Sequence, residues 1–120
     1  MHELSIAQRI VDLLSDTSGQ HGGGRVASCR LVVGELAGVE VESLRFAFEV
    51  CIRGTHTEGC VLEVVSVPLR LRCRQCGVER GGELLEPCPA CGTLGSEVLE
   101  GRELRVDSVE LEDLPEDSVR

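Results

Sequence analysis

An α+β fold is predicted for this chain: two helices packed on one face of a small three-stranded sheet, with a four-cysteine module inserted before the last strand. Three observations carry this. Apolar residues recur at helical spacing in two separate segments. The period changes to two in three further segments. A compositional island over residues 73–92 holds four of the seven cysteines. At 120 residues the chain has the size of one domain, or of one small domain carrying a module. Hydrophobic residues make up 42% of it, and Phe46 and Phe48 are its sole aromatics, so the core must be aliphatic.

The elements follow in order. From Leu4 to about Ser18, Leu4, Ala7, Val11 and Leu14 fall on one line with Ile6, Ile10 and Leu13 beside it. That stripe predicts an amphipathic helix, ended by Gly19 and the run Gly22–Gly24. In Arg25–Leu36, Ala27, Cys29, Leu31 and Val33 point one way and Val26, Ser28, Arg30 and Val32 the other, a strand with one face more apolar. Gly34–Glu40 is a glycine-punctuated turn. Helical spacing returns after it, with Leu44, Ala47, Phe48 and Cys51 on one face and Gly54 at the C-terminal position. Gly54–Gly59 is a loop, and Cys60–Arg72 a second strand whose exit or edge is marked by Pro68. Glu97–Glu112 is a third strand, with an interruption near Gly101. The polar residues Asp113–Arg120 are expected to fray. The domain division expected is 1–69 with 98–115 for the α/β part and 70–97 for the cysteine module. Strand order is not legible in these patterns.

Charge narrows the function classes. The formal net charge is −9, and with no lysine in the chain all 12 basic residues are arginine. Nucleic acid, which is bound through cationic neutralisation of phosphates, is disfavoured, and so is an anionic membrane surface. A metal ion or a basic protein patch suits an acidic surface better. Glu3, Arg9 and Asp12 break up the first apolar residues, so no signal peptide is legible and a cytoplasmic protein is expected. In a reducing compartment cysteines point to metal before disulfides.

The island reads Cys73-x2-Cys76-x11-Cys88-x2-Cys91. Two C-x-x-C pairs about a dozen residues apart are a zinc signal, and four thiolates fill a tetrahedral ion completely. The site is therefore read as structural, a four-cysteine zinc ribbon. Gly77 and Gly92 follow the pairs and permit the tight backbone after each second ligand. A ribbon of this kind is expected to have no core of its own, so that metal binding and folding are one event. A thioredoxin-like redox site needs a single pair at a helix start, and a rubredoxin-like iron site lacks its usual aromatic packing here. Cys29, Cys51 and Cys60 fall on apolar faces and read as small core hydrophobes. His21 and His56 fall in loops and read as solvated.

The first residues, Met1, His2 and Glu3, can be read in two ways. They can be solvated residues at a helix start, with Glu3 favouring the helix dipole. They can also form a chelate. The Met1 amine, the His2 amide and the His2 imidazole close fused rings on one ion, and the Glu3 amide offers a fourth nitrogen. A plane of nitrogens suits Ni(II) or Cu(II). The first amides of a helix have no intrahelical acceptor and are free to serve. Residue chemistry alone favours the plainer reading.

The segments Met1–Gln8, Leu31–Val50 and Gly54–Val64, with the two knuckles Cys73–Gly77 and Cys88–Gly92, resemble the HypA/HybF family of nickel metallochaperones. The resemblance runs from residue 1 to about 112. It implies nickel held at Met1, His2 and Glu3, and zinc held by Cys73, Cys76, Cys88 and Cys91. It also implies an accessory GTPase, HypB, as partner, delivery of nickel to the large-subunit precursor of a nickel–iron hydrogenase, and no enzymatic activity of the chain itself. A monomer or weak homodimer is expected. Some relatives place histidine directly after each second knuckle cysteine. Here those positions are Gly77 and Gly92, so a static site of four cysteines is expected. The alternative is a zinc-ribbon interaction adaptor without a nickel role.

Overall fold

A computed structural model of the chain describes residues 2–112. Helix α1 (His2–Gln20) is followed by strand β1 (Arg25–Gly34), a single 3-10 turn (Glu35–Ala37) and helix α2 (Val41–Ile52). Then come β2 (Val61–Val67), β3 (Arg70–Cys73), the short β4 (Glu79–Arg80), β5 (Ser96–Glu100) and β6 (Leu104–Glu112). One three-stranded sheet has the order β2-β1-β6 and a second the order β4-β3-β5. The α+β class therefore stands, with two helices, a small three-stranded sheet and a cysteine module. The expected frayed tail, 113–120, lies outside the described residues.

Two expected strands are each two strands. The segment 60–72 breaks at Pro68, which has no N–H for a ladder. Beyond it the Leu69 amide donates to the Glu35 Oε1 at 2.9 Å instead of to a neighbouring strand. The segment 97–112 breaks at Gly101, whose φ of 122° is open only to glycine. Both breaks free a strand for the second sheet. There β3 pairs antiparallel with β4 through Leu71–Arg80 and with β5 through Leu71–Val98 and Cys73–Ser96.

The chain divides into two compact units. The first comprises Met1–Leu31, Val39–Val64 and Val106–Arg120. In it α1 packs on α2. The buried residues of α1 are Ala7, Ile10, Leu14 and Ser18, and those of α2 are Leu44, Ala47, Phe48 and Ile52. The apolar stripe of α1 is thus rotated from the one the sequence suggests: Leu4 and Leu13 are exposed. An apolar arc that wide exceeds the face one partner helix can cover. At the end of α1, the Ser18 carbonyl accepts the Gly23 amide at 2.7 Å and the Ser18 hydroxyl donates to the Gly24 carbonyl at 2.6 Å, which satisfies a buried polar group. Cys29 and Cys60 are buried as core residues, and Cys51 is half-buried.

The second unit comprises Val32–Gly38 and Val65–Arg105. Within residues 73–92 the buried residues are Cys73 and Cys88, and the unit's buried apolar side chains, Val32, Val33, Leu69 and Leu71, lie outside that stretch. Gly34 and Gly101 come into backbone contact there, with the Leu36 amide donating to the Gly101 carbonyl and the Gly34 amide to the Glu103 carbonyl, each at 2.7 Å.

Candidate metal centres

The four knuckle cysteines converge. Cys73 closes β3, Cys76 sits in the turn that follows, and Cys88 and Cys91 lie in the second knuckle before β5. Their sulfurs all lie within 4.8 Å of one another. The Cys73–Cys91 and Cys76–Cys88 sulfur pairs are 3.6 and 3.7 Å apart. A tetrahedron with metal–sulfur bonds of about 2.3 Å has edges of about 3.8 Å, so the cluster is close to the size of a tetrathiolate zinc site.

The two knuckles repeat one local design. The Gly77 amide donates to the Cys73 carbonyl at 2.9 Å, and the Gly92 amide to the Cys88 carbonyl at 2.7 Å. Gly77 and Gly92 have φ of 79° and 73°, in the left-handed region that glycine adopts without strain. The Cys73 amide donates to the Val78 carbonyl and the Cys88 amide to the Thr93 carbonyl, closing each loop. Backbone amides also aim at sulfur. Those of Cys76 and Gln75 lower the Cys73 thiol to about 6. Those of Cys91 and Ala90 lower Cys88. Cys76 receives the Val78 amide, which lowers its pKa, yet desolvation and the sulfurs of Cys88, Cys91 and Cys73 push it to about 11. Thiolate-stabilising amides beside sulfurs that compete for protons are the electrostatics that a dication resolves. A thiophilic tetrahedral ion fits this donor set.

The sheet carrying the cluster is laced with exposed ion pairs. Arg72 lies 3.4 Å from Glu79 and 3.8 Å from Glu97, and Arg70 lies 3.7 Å from Glu79. Such pairs contribute roughly 0–1 kcal/mol each, so they fix register more than stability.

At the other candidate site, Met1 lies outside the described residues, while His2 and Glu3 occupy the first turn of α1. The His2 Nε2 is 3.5 Å from the Glu3 Oε2. The same carboxylate oxygen accepts the Glu40 amide at 3.1 Å. This bond is the main reason the Glu3 carboxyl is held below its ordinary pKa, with its own amide next in weight. Glu40 in turn caps α2, its Oε1 accepting the amides of Glu42 and Ser43 at 2.9 and 3.3 Å. The start of α1 is therefore latched to the start of α2. The sequence carries no ready signal for Glu40, since the usual capping residues are Ser, Thr, Asp and Asn. His21 and His56 are exposed. Among the described residues, the grouping of three or more His, Cys, Asp or Glu side chains able to hold an ion is the four-cysteine cluster.

The chain resembles known proteins over nearly all of its length. The family profile described as "Hydrogenase/urease nickel incorporation, metallochaperone, hypA" matches residues 1–111. A hydrogenase maturation factor HypA of Geotalea daltonii is 46% identical over 107 residues, covering 88% of this chain and 94% of that protein. Its counterpart in Geobacter metallireducens is 43% identical over 115 residues, covering 93% and 100%. In fold, the chain is similar to a solution structure of a HypA protein, with TM-score 0.70, 20% identity and coverage of 93% and 97%. It is also similar to the solution structure of the nickel metallochaperone HypA from Helicobacter pylori, with TM-score 0.63, 20% identity and coverage of 92% and 97%. No helix among the described residues is long and apolar enough to cross a membrane. With its helix pair, its two small sheets and its converged cysteines, this chain belongs to the HypA family of hydrogenase/urease nickel-incorporation metallochaperones.

Proposed function

We propose that the chain is a cytoplasmic nickel metallochaperone that takes up Ni(II) at Met1, His2 and Glu3 and delivers it during nickel–iron hydrogenase maturation. In this reading it is not itself an enzyme. Cys73, Cys76, Cys88 and Cys91 hold a structural zinc ion. The partners would be the accessory GTPase HypB and the hydrogenase large-subunit precursor. The functional division would be 1–69 with 98–115 for nickel and 70–97 for zinc, and the chain would work as a monomer or weak homodimer. The observation that carries the reading is the match to the nickel-incorporation family over residues 1–111.

The placement of His2 and Glu3 supports the nickel part. Both lie in the first turn of α1, where amides have no intrahelical acceptor and can act as donors at no cost to the helix. The Met1 amine and the His2 imidazole complete a nitrogen set suited to Ni(II). The Glu3 carboxylate lies beside the His2 ring, where its charge offsets the positive end of the helix dipole. A terminal site of this kind can release its ion one ligand at a time, as transfer requires. For zinc, four thiolates leave no open position, so the ion would hold the ribbon together and not activate water.

Calorimetric titration of untagged protein with nickel, beside His2→Ala, tests the reading. The variant should lose the site. Equal stoichiometry and affinity in the two would overturn it and leave the zinc-ribbon adaptor. Nickel affinity should also fall as pH is lowered, because protons compete with the metal for the amine and imidazole nitrogens.

A further inference from the structure

Beside the start of α1 lies a groove of about 530 Å³ formed with α2. Its apolar lining is Leu4, Phe46, Ala47 and Val50, and its charged lining is Glu3 and Glu42. Three of these side chains are left in water at some cost: Phe46 is 67% exposed, Leu4 48% and Val50 42%. The exposed stripe of α2 is built on a four-residue step, Glu42, Phe46 and Val50, one helical turn apart each time. It is distinct from the buried line Leu44, Phe48 and Ile52. A chain with two phenylalanines and no other aromatic residue thus spends one of them on solvent. Contiguous exposed apolar surface with a polar rim marks an interaction site, and aromatic residues are enriched at interface cores.

The charge of the groove selects its occupant. Both ionisable lining residues are carboxylates. Glu42 is 84% exposed and pairs with Arg45 at a loose 3.8 Å. The whole chain carries a formal charge of −9. A second copy pairing through the same groove would bring Glu42 toward Glu42 or Glu3 across a two-fold contact, which like charges oppose. We infer that the groove docks a segment of a partner protein that presents one or two apolar side chains beside an arginine or lysine. Because Glu3 lines the groove, a docked segment lies next to the first residues of the chain. The inference goes beyond the nickel reading and does not depend on it.

The test is selection from a random 12-residue peptide library on the chain immobilised through its C-terminus. Enriched peptides should combine Leu, Ile, Phe or Trp with Arg or Lys. Their affinity should fall roughly tenfold or more on Phe46→Ser, as for loss of an aromatic anchor. It should also fall on Glu42→Arg and survive Leu13→Ser, whose side chain is exposed but lies outside the groove. Circular dichroism shows each variant folded, and Glu42→Arg stands in if Phe46→Ser is not. Enriched peptides without basic residues, or affinity left unchanged by Phe46→Ser and Glu42→Arg, overturn the inference. So does a dimer in sedimentation that Phe46→Ser dissolves, which would make a second copy the occupant. His2→Ala separates the two readings: peptide binding should persist in it whatever happens to nickel.

Discussion

Gly34→Ala should destabilise the protein by about 3 kcal/mol, although nothing in the backbone conformation at residue 34 forbids alanine. Gly34 has φ −79° and ψ 154°, ordinary extended backbone. On that ground alone, alanine would stabilise by about 0.4–1 kcal/mol through the unfolded state. The tertiary structure reverses the sign. A Cβ at 34 would overlap the carbonyl carbon and oxygen of Gly101 and come within 2.6 Å of the Glu103 Oε1. The first two are backbone atoms and cannot swing aside, so the two segments must separate. Overpacking of this kind costs about 1–3 kcal/mol. The separation also strains the Gly34–Glu103 and Leu36–Gly101 backbone hydrogen bonds, both 2.7 Å long, each contributing about 0.5–1.5 kcal/mol. The losses exceed the entropic gain by about 3 kcal/mol. With a urea slope of roughly 1–3 kcal/mol/M, the midpoint should drop by about 1–3 M. The assay is urea unfolding of the metal-loaded protein followed by far-ultraviolet circular dichroism, since the chain has no Trp or Tyr. Gly19→Ala is the matched control. It lies in α1, where an added Cβ would meet nothing within 4 Å, and should stabilise by about 0.5–1 kcal/mol. If Gly34→Ala is as stable as the parent, or more so, the approach of residues 34 and 101 is wrong.

Three further outcomes are expected. Leu14→Ala, at a position with no exposed surface, should cost about 2–5 kcal/mol in the same urea assay, whereas Leu13→Ala, on the exposed side of α1, should cost under about 1 kcal/mol. The Glu3 carboxyl has a folded pKa below its ordinary 4.5, so its contribution to stability is present above the unfolded value and lost as pH falls through the folded one; the stability difference between parent and Glu3→Gln, measured by urea titration from pH 6 to pH 3, should shrink across that window, and a constant difference would refute the Glu3–Glu40 latch. Chelation under reducing conditions should abolish the dispersed amide signals of residues 73–92 in nitrogen–proton correlation spectra while those of α1 and α2 persist, because the four cysteines converge on one point within the second unit; retention of the knuckle signals would show that Leu69 and Leu71 hold that unit without metal.

Much of this protein is legible in one dimension. The cysteine spacing, with glycine after each second ligand, specifies two matched knuckles, because ligand type and turn geometry are local properties. The two helices, the first strand and the break near Gly101 follow from periodicity and from a residue that alone tolerates the φ required. What needed the tertiary structure was everything set by a partner distant in the chain. The stripe of α1 carries more apolar positions than one helix can bury, and only packing against α2 decided that Leu14 is inside and Leu4 outside. Pro68 marks a strand exit in the sequence, but that β3 then builds a second sheet with β4 and β5 depended on pairing with segments further along the chain. The latch from Glu3 to the Glu40 amide joins positions with no shared local pattern. Periodicity sets Phe46 and Val50 apart from the face of Leu44, Ala47 and Phe48, but that nothing else among the described residues covers them was decided by the tertiary structure.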